Sequence, residues 1–200
     1  MTAHAATLGI DWSSLHTIVL SRGHRDHTGG LRSVLSERRK DPTLSKETRV
    51  INVVAHPDIW AHKYSGPVHK NIYAGIPYVR EALEGLGAAF TDTSTQTIIT
   101  NHVVTTGEIP LDTAFERVDK ELYVRNERGI RPDLMADDQA LVIKTGFGLV
   151  VILGCAHRGL INTLLQAQKV AREDRIHLVI GGTHLMKASQ EQLEATIKGQ

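Results

Sequence analysis

With a single cysteine, Cys155, the chain cannot form an internal disulfide, which fits a reducing compartment. No apolar run approaches the ~18 residues of a membrane-spanning helix. The start, Met1-Thr2-Ala3-His4-Ala5-Ala6-Thr7, has neither the basic region nor the apolar core of a secretory leader. Net charge is nearly absent too, at +1, so nothing points to a nucleic-acid or membrane partner. No basic surface studded with aromatic residues is visible either. These absences lead to the expectation of a cytoplasmic protein. What is present is ordinary for a soluble globular chain, with 41% hydrophobic and 22% charged residues. Two hundred residues suit one domain, 1–200, with a long insertion or flap around 107–136. Eleven histidines are many for this length, which favours a metal site although several must be incidental.

One stretch organises the rest. Thr17-Ile18-Val19-Leu20 is apolar without helical spacing and reads as a buried strand. It stops at Ser21-Arg22-Gly23-His24-Arg25-Asp26-His27-Thr28-Gly29-Gly30, a glycine-punctuated loop with two histidines and one aspartate within four positions. Leu31, Val34 and Leu35 then take helical spacing, predicting a helix over 30–39 with Thr28 as its N-cap and its positive end toward a bound anion. Imidazole and carboxylate are preferred ligands of borderline divalent metals such as zinc.

The same design recurs twice. A strand at Leu149–Leu153 runs into Gly154-Cys155-Ala156-His157-Arg158-Gly159, and one at Ile176–Ile180 runs into Gly181-Gly182-Thr183-His184-Leu185. Three near-parallel strands would bring His24, His27, His157 and His184 to one edge of one sheet. Arg49–Ala55 reads as a further strand ending at His56-Pro57-Asp58, a position where α/β sites collect, so His56 is a pocket candidate. Gln96–Thr106 reads as a strand containing His102, 112–136 as a polar excursion, and Ala140–Lys144 with Leu149–Leu153 as a hairpin. A helix is expected from about 160 to 172, and Glu108 and Glu116 read as structural. Cys155 either packs as a small buried residue or offers its thiolate to the metal.

His24-Arg25-Asp26-His27 resembles the second half of the HxHxDH signature of the metallo-β-lactamase superfamily. The wider Ser-x-Gly-His-x-Asp-His-Thr-Gly-Gly-Leu, then Asp137-Asp138-Gln139-Ala140-Leu141-Val142-Ile143, Gly-Cys-x-His-x-Gly and Gly-Gly-x-His-Leu, follow in order. Together they resemble the branch of metal-dependent hydrolases that includes the 7,8-dihydropterin-6-methyl-4-(β-D-ribofuranosyl)aminobenzene-5'-phosphate synthases, from about residue 8 to 186. The resemblance implies an α/β fold, a metallo-β-lactamase-like αββα sandwich. It is expected to be incomplete, with the family's N-terminal strands and C-terminal His-Cys-Thr-Gly segment missing, and an edge left open in this way would favour self-association.

The resemblance also implies a chemistry. His24 and His157 would serve one metal, and Asp26, His27 and His184 a second, with Asp26 also orienting water as the catalytic carboxylate. The cofactor is one or two divalent ions, zinc first, with manganese, iron and magnesium as alternatives. Such metals lower the pKa of bound water to near ~7 and supply hydroxide to a phosphate ester or similar bond. A transferase-like condensation of a pterin diphosphate with an aminobenzene-ribosyl phosphate is equally implied, so the substrate is a small molecule, phosphorylated or pterin-like. One residue departs from the pattern: Arg22 stands where the family places its first histidine. A guanidinium does not ligate and repels a dication, but it suits a substrate phosphate. The alternative is a catalytically weak or inactive remnant that serves as a binding module.

Overall fold

Runs rich in Val, Ile and Thr become strands because branched side chains pack well on a pleated surface. The computed structural model describes residues 2–199. In chain order the strands among them are β1 (Thr17–Val19), β2 (Ile51–Ala55), β3 (His62–Ser65), β4 (Ile72–Tyr73), β5 (Ala88–Asp92) and β6 (Ile98–Thr100). They continue with β7 (Val103–Thr105), β8 (Leu122–Asn126), β9 (Gly129–Pro132), β10 (Leu141–Thr145), β11 (Gly148–Ile152) and β12 (Ile176–Ile180). The α-helices are α1 (Thr2–Thr7), α2 (Arg25–Thr28), α3 (Leu31–Lys40), α4 (Lys46–Arg49), α5 (Arg80–Glu84), α6 (Leu160–Ala171) and α7 (Gln190–Lys198).

Three sheets result. One is parallel, in the order β1-β2-β5. The second runs β12-β11-β10-β7-β6, with β11 and β12 parallel and the other pairs antiparallel. A third, antiparallel sheet has the order β4-β3-β8-β9.

The first two sheets each have a core shared with helices, as expected of an αββα sandwich. Leu160, Leu164, Ala167 and Ala171 of α6 pack on Val142, Leu149 and Val151 of β10 and β11. Leu31 and Leu35 of α3 share a core with Ile51, Val53 and Ala55 of β2 and Leu83 of α5. Burying each large aliphatic side chain contributes roughly 1.5–3 kcal/mol.

Four expectations need correction. The histidine-bearing strands do not share a sheet: β1 lies in the first, β11 and β12 in the second. Thr28 is no N-cap, because the polar loop closes a helical turn of its own, α2, in which the Thr28 hydroxyl donates to His24 O at 3.0 Å. Gln96–Thr106 is a bulged hairpin, β6 and β7, with His102 in its turn. The 107–136 stretch is tied down at both ends of its length. Its first part caps α6 through Glu116, whose carboxylate accepts the N–H groups of Ile161 and Asn162 at 2.8 Å each. Its second part contributes the β8–β9 hairpin to the third sheet. At the sheet margins, β1 pairs only with β2 and β12 only with β11 among the described residues.

The third sheet also buries a charge. Lys63 on β3 is 1% exposed, and its ammonium donates to Asp133 Oδ2 and Asp137 Oδ1, both at 2.8 Å. Burial opposes that charge, but Asp137 and Asp133 outweigh it and the lysine pKa is raised. Removing the cation strands two buried carboxylates, which costs about 3–5 kcal/mol. Lys63→Met is therefore expected to lower the urea midpoint strongly, and an unchanged midpoint would show that this triad is not closed in solution.

Candidate metal centre

Three consecutive side chains, Asp137, Asp138 and Gln139, fix the two loops that carry His24 and His157. Asp137 Oδ2 accepts the Gly23 N–H at 2.7 Å, next to His24. Asp138 Oδ2 accepts the Arg158 N–H at 3.0 Å, next to His157, and burial pushes its carboxyl up to about 6. Gln139 Nε2 donates to Leu20 O at 2.8 Å, while its backbone N–H donates to Ser21 O at 2.9 Å. The β1 and β11 loops are thereby held together although their strands lie in different sheets. Contact is close enough to require glycine: a Cβ on Gly154 would lie 2.4 Å from Ser21 Oγ. The loops are also strained, since Ala156 and His184 both take the left-handed φ of 48°.

At their meeting point lies a cavity of about 650 Å³ lined by Arg22, His24, Arg25, Asp26, Cys155, His157 and His184, with Ser65, Ala74 and Leu122 completing the wall. His24 and His157 meet edge to face at 5.1 Å between ring centroids, and His157 lies 3.8 Å from the tilted ring of His184. His27 Nε2 lies 3.2 Å from Asp26 Oδ2 and 3.4 Å from Cys155 Sγ, while its Nδ1 is 3.0 Å from Ser21 Oγ. Asp26, His27 and Cys155 each bring a donor atom within 4.8 Å of the others. Arg22, only 2% exposed, donates from Nε to His24 Nδ1 at 3.1 Å and from Nη2 to Asp26 Oδ2 at 3.4 Å.

The donors fit a divalent cation. Carboxylate, imidazole and thiol gathered within 4.8 Å of one another are donor types that suit a zinc-like ion. His24 Nε2 and His157 Nδ1 are buried without a hydrogen-bond partner, a costly arrangement unless something else meets them. Burial first, and the Arg22 charge second, push His24 down to about 4 and His157 down to about 2. The same two causes lower His27 and His184. Neutral imidazole is the form that ligates.

Of the residues singled out in the sequence, His24, Asp26, His27, Cys155, His157, His184 and Arg22 come together here. His56 does not line this cavity; it is the cap of a short 3₁₀ turn, its Nδ1 accepting the Asp58 N–H at 3.0 Å. Sequence reasoning passed over Ser21, Lys63 and Asp137–Gln139 as parts of the site. For the last three the signal was visible, an acidic pair directly before an apolar strand. Lys63 carried none, because a lysine in a strand usually faces water.

Comparison with known proteins adds to this geometry. No protein-family model matches the chain. It is 28% identical over 96% of its length to the 7,8-dihydropterin-6-methyl-4-(β-D-ribofuranosyl)-aminobenzene-5'-phosphate synthase of Methanocaldococcus jannaschii, of which it covers 63%. An uncharacterized protein of the same organism is 29% identical over 90% of the chain, which covers 62% of it. The chain thus spans a little under two thirds of the length of both curated relatives. Among solved structures, Tm1679, a metal-dependent hydrolase of the β-lactamase superfamily, aligns with 99% of the chain at 32% identity and a TM-score of 0.79, with 68% of its own length covered.

The lowered histidines have a measurable consequence. Between about pH 6.5 and pH 4 the unfolded chain binds protons that folded His24 and His157 refuse, so stability rises with pH across that window and is lost on acidification. The melting temperature of metal-free protein should fall as pH drops from 6.5 toward 4, and His24→Gln or His157→Gln should flatten the slope. A melting temperature indifferent to pH in both variants and wild type would contradict the buried neutral pair.

Proposed function

Because the chain belongs to the β-lactamase superfamily, as the metal-dependent hydrolase Tm1679 does, we propose that it is a metalloenzyme acting on a phosphorylated small molecule. The observation that carries this reading is the Asp26–His27–Cys155 donor cluster beside the unpartnered nitrogens of His24 and His157. A divalent cation held there supplies Lewis acidity at a phosphoryl oxygen and acidifies water.

The protein's own side chains supply the rest. Ser21 Oγ holds the His27 ring through Nδ1 at 3.0 Å; with a cation bound, Nδ1–H would donate to that hydroxyl and the Nε2 lone pair would face the donor cluster. Asp26, with a side chain 68% exposed, reaches the cavity from its rim and is placed to accept a proton from the attacking nucleophile. Arg22 and Arg25 give the cavity the positive charge that a phosphate requires. The tilted rings of His157 and His184, both lining the cavity, offer imidazole surface against which an aromatic group can pack. Water as nucleophile makes the reaction a phosphate-ester hydrolysis. An arylamine in its place makes it a transfer of the kind named for the curated relative, with a pterin-like electrophile.

The second reading, a binding module without turnover, rests on the Arg22 guanidinium engaging His24. Zinc analysis after exhaustive dialysis, with turnover of bis(p-nitrophenyl) phosphate, separates the two. Retained zinc and chelator-sensitive turnover, both lost in His27→Ala, are the expected result. Ser21→Ala should keep the fold and weaken zinc binding about 10–100-fold. Absence of retained metal in wild type would leave only the binding module.

A further inference from the structure

We infer that Arg22 takes the place of one of two cations, so that the site holds a single thiophilic divalent ion between Asp26, His27 and Cys155. The inference rests on the metalloenzyme reading and specifies one ion and the residues that hold it.

Hydrogen bonding around the two histidines of the loop decides it. Arg22 Nε donates to His24 Nδ1 at 3.1 Å, so the Nδ1 lone pair is used and the ring proton sits on Nε2. Neither nitrogen of His24 then has a lone pair for a metal. Its buried, unpartnered Nε2 is an N–H donor, complementary to a substrate oxygen. His27 is not blocked in this way. Its Nδ1 has a hydroxyl partner in Ser21 that can accept as well as donate, and its Nε2 faces a carboxylate and a sulfur. With the ring proton on Nδ1, His27 can turn an Nε2 lone pair toward a cation, whereas His24 cannot while Arg22 occupies its Nδ1.

Charge points the same way. Among the described residues, Asp26 is the only carboxylate lining the cavity, and two arginines share that lining. Two dications beside the buried guanidinium would leave an excess of three positive charges over one carboxylate and one thiolate, whereas a single dication leaves an excess of one. The guanidinium also has a buried Nη1 without a partner. Beside the His24 N–H, it is a second donor for the phosphate that a second metal would otherwise hold. Cys155 sets the class of metal, because thiolate selects zinc, cobalt or iron over magnesium and manganese.

The test titrates metal-free protein with cobalt(II) and with zinc, reading stoichiometry by metal analysis and ligation by absorption. Wild type should take up one equivalent of cobalt and develop a thiolate-to-metal charge-transfer band. Cys155→Ser should lose that band and bind zinc at least tenfold more weakly. Arg22→His should accept a second equivalent with no added sulfur band. Two equivalents in wild type would overturn the single-ion site and leave the metalloenzyme reading standing; none would overturn both. One equivalent without a thiolate band would overturn the role of Cys155. A folded Arg22→His that still binds one would overturn the role of Arg22, and the wild-type count stays decisive if that variant does not fold.

Discussion

The carboxylate of Asp137 receives the Lys63 ammonium on one oxygen and the Gly23 N–H on the other, in a region with no access to water. Everything at the site depends on this contact and its two neighbours in sequence. Asp137 fixes the loop of His24, Asp138 that of His157, and Gln139 fastens the end of β1. A sheet ladder cannot do this, because β1 and β11 belong to different sheets. A buried carboxylate can, since it accepts several N–H bonds at once and binds backbone more strongly than a neutral acceptor does. Burying it is costly, and Lys63 offsets that cost from a third sheet. One short segment therefore ties three sheets to one cavity.

Within that frame the sign of charge is unusual. The cavity already contains a cation, Arg22, held among imidazoles and almost wholly buried. Its charge, added to burial, keeps four histidines neutral. The same charge raises the electrostatic cost of each ion placed nearby. Neutral imidazoles and a higher cost for any added cation follow from one residue. Asp26 sits between the Arg22 guanidinium and the neutral His27 ring, 3.4 Å from the first and 3.2 Å from the second.

How much of this the sequence carried depended on the distance over which each feature is determined. Strands β2, β10, β11 and β12 and helices α3 and α6 were legible because hydrophobic period and glycine punctuation are local signals. The histidine loops were legible for the same reason, each being a strand, a small-residue turn and a polar side chain. Sheet membership was not: β1, β11 and β12 have the same local pattern, and only tertiary contacts assign β1 elsewhere. The 107–136 segment looked irregular because its anchors, Glu116 at the α6 N-terminus and Tyr123 facing Tyr64 across β3, join residues far apart in the chain. His56 shows the converse. Its position after β2 suggested a pocket, yet the nearest satisfied partner was a backbone N–H two residues away, which a turn supplies without any site.

Placing donors on loops rather than on strands has an energetic consequence. Ala156 and His184 sit in left-handed backbone that costs about 1–3 kcal/mol each to maintain. The bonds that hold them, to Asp138 on one side and between Lys187 and Asp119 and Glu121 on the other, differ greatly in strength. The first is buried; the second pair is half in water and contributes little. The His157 loop is thus set before any ligand arrives, whereas the His184 loop is held by one backbone bond, Gly182 N–H to Gly154 O at 3.2 Å, and by its ring contact with His157. A ligand that touches both rings would bind a rigid half and order a looser one. Its binding energy would then appear partly as folding stability, since only the native chain offers that pair of surfaces. Recognition at this site is accordingly divided between a prearranged half, built on buried carboxylates, and an adjustable half at the end of β12.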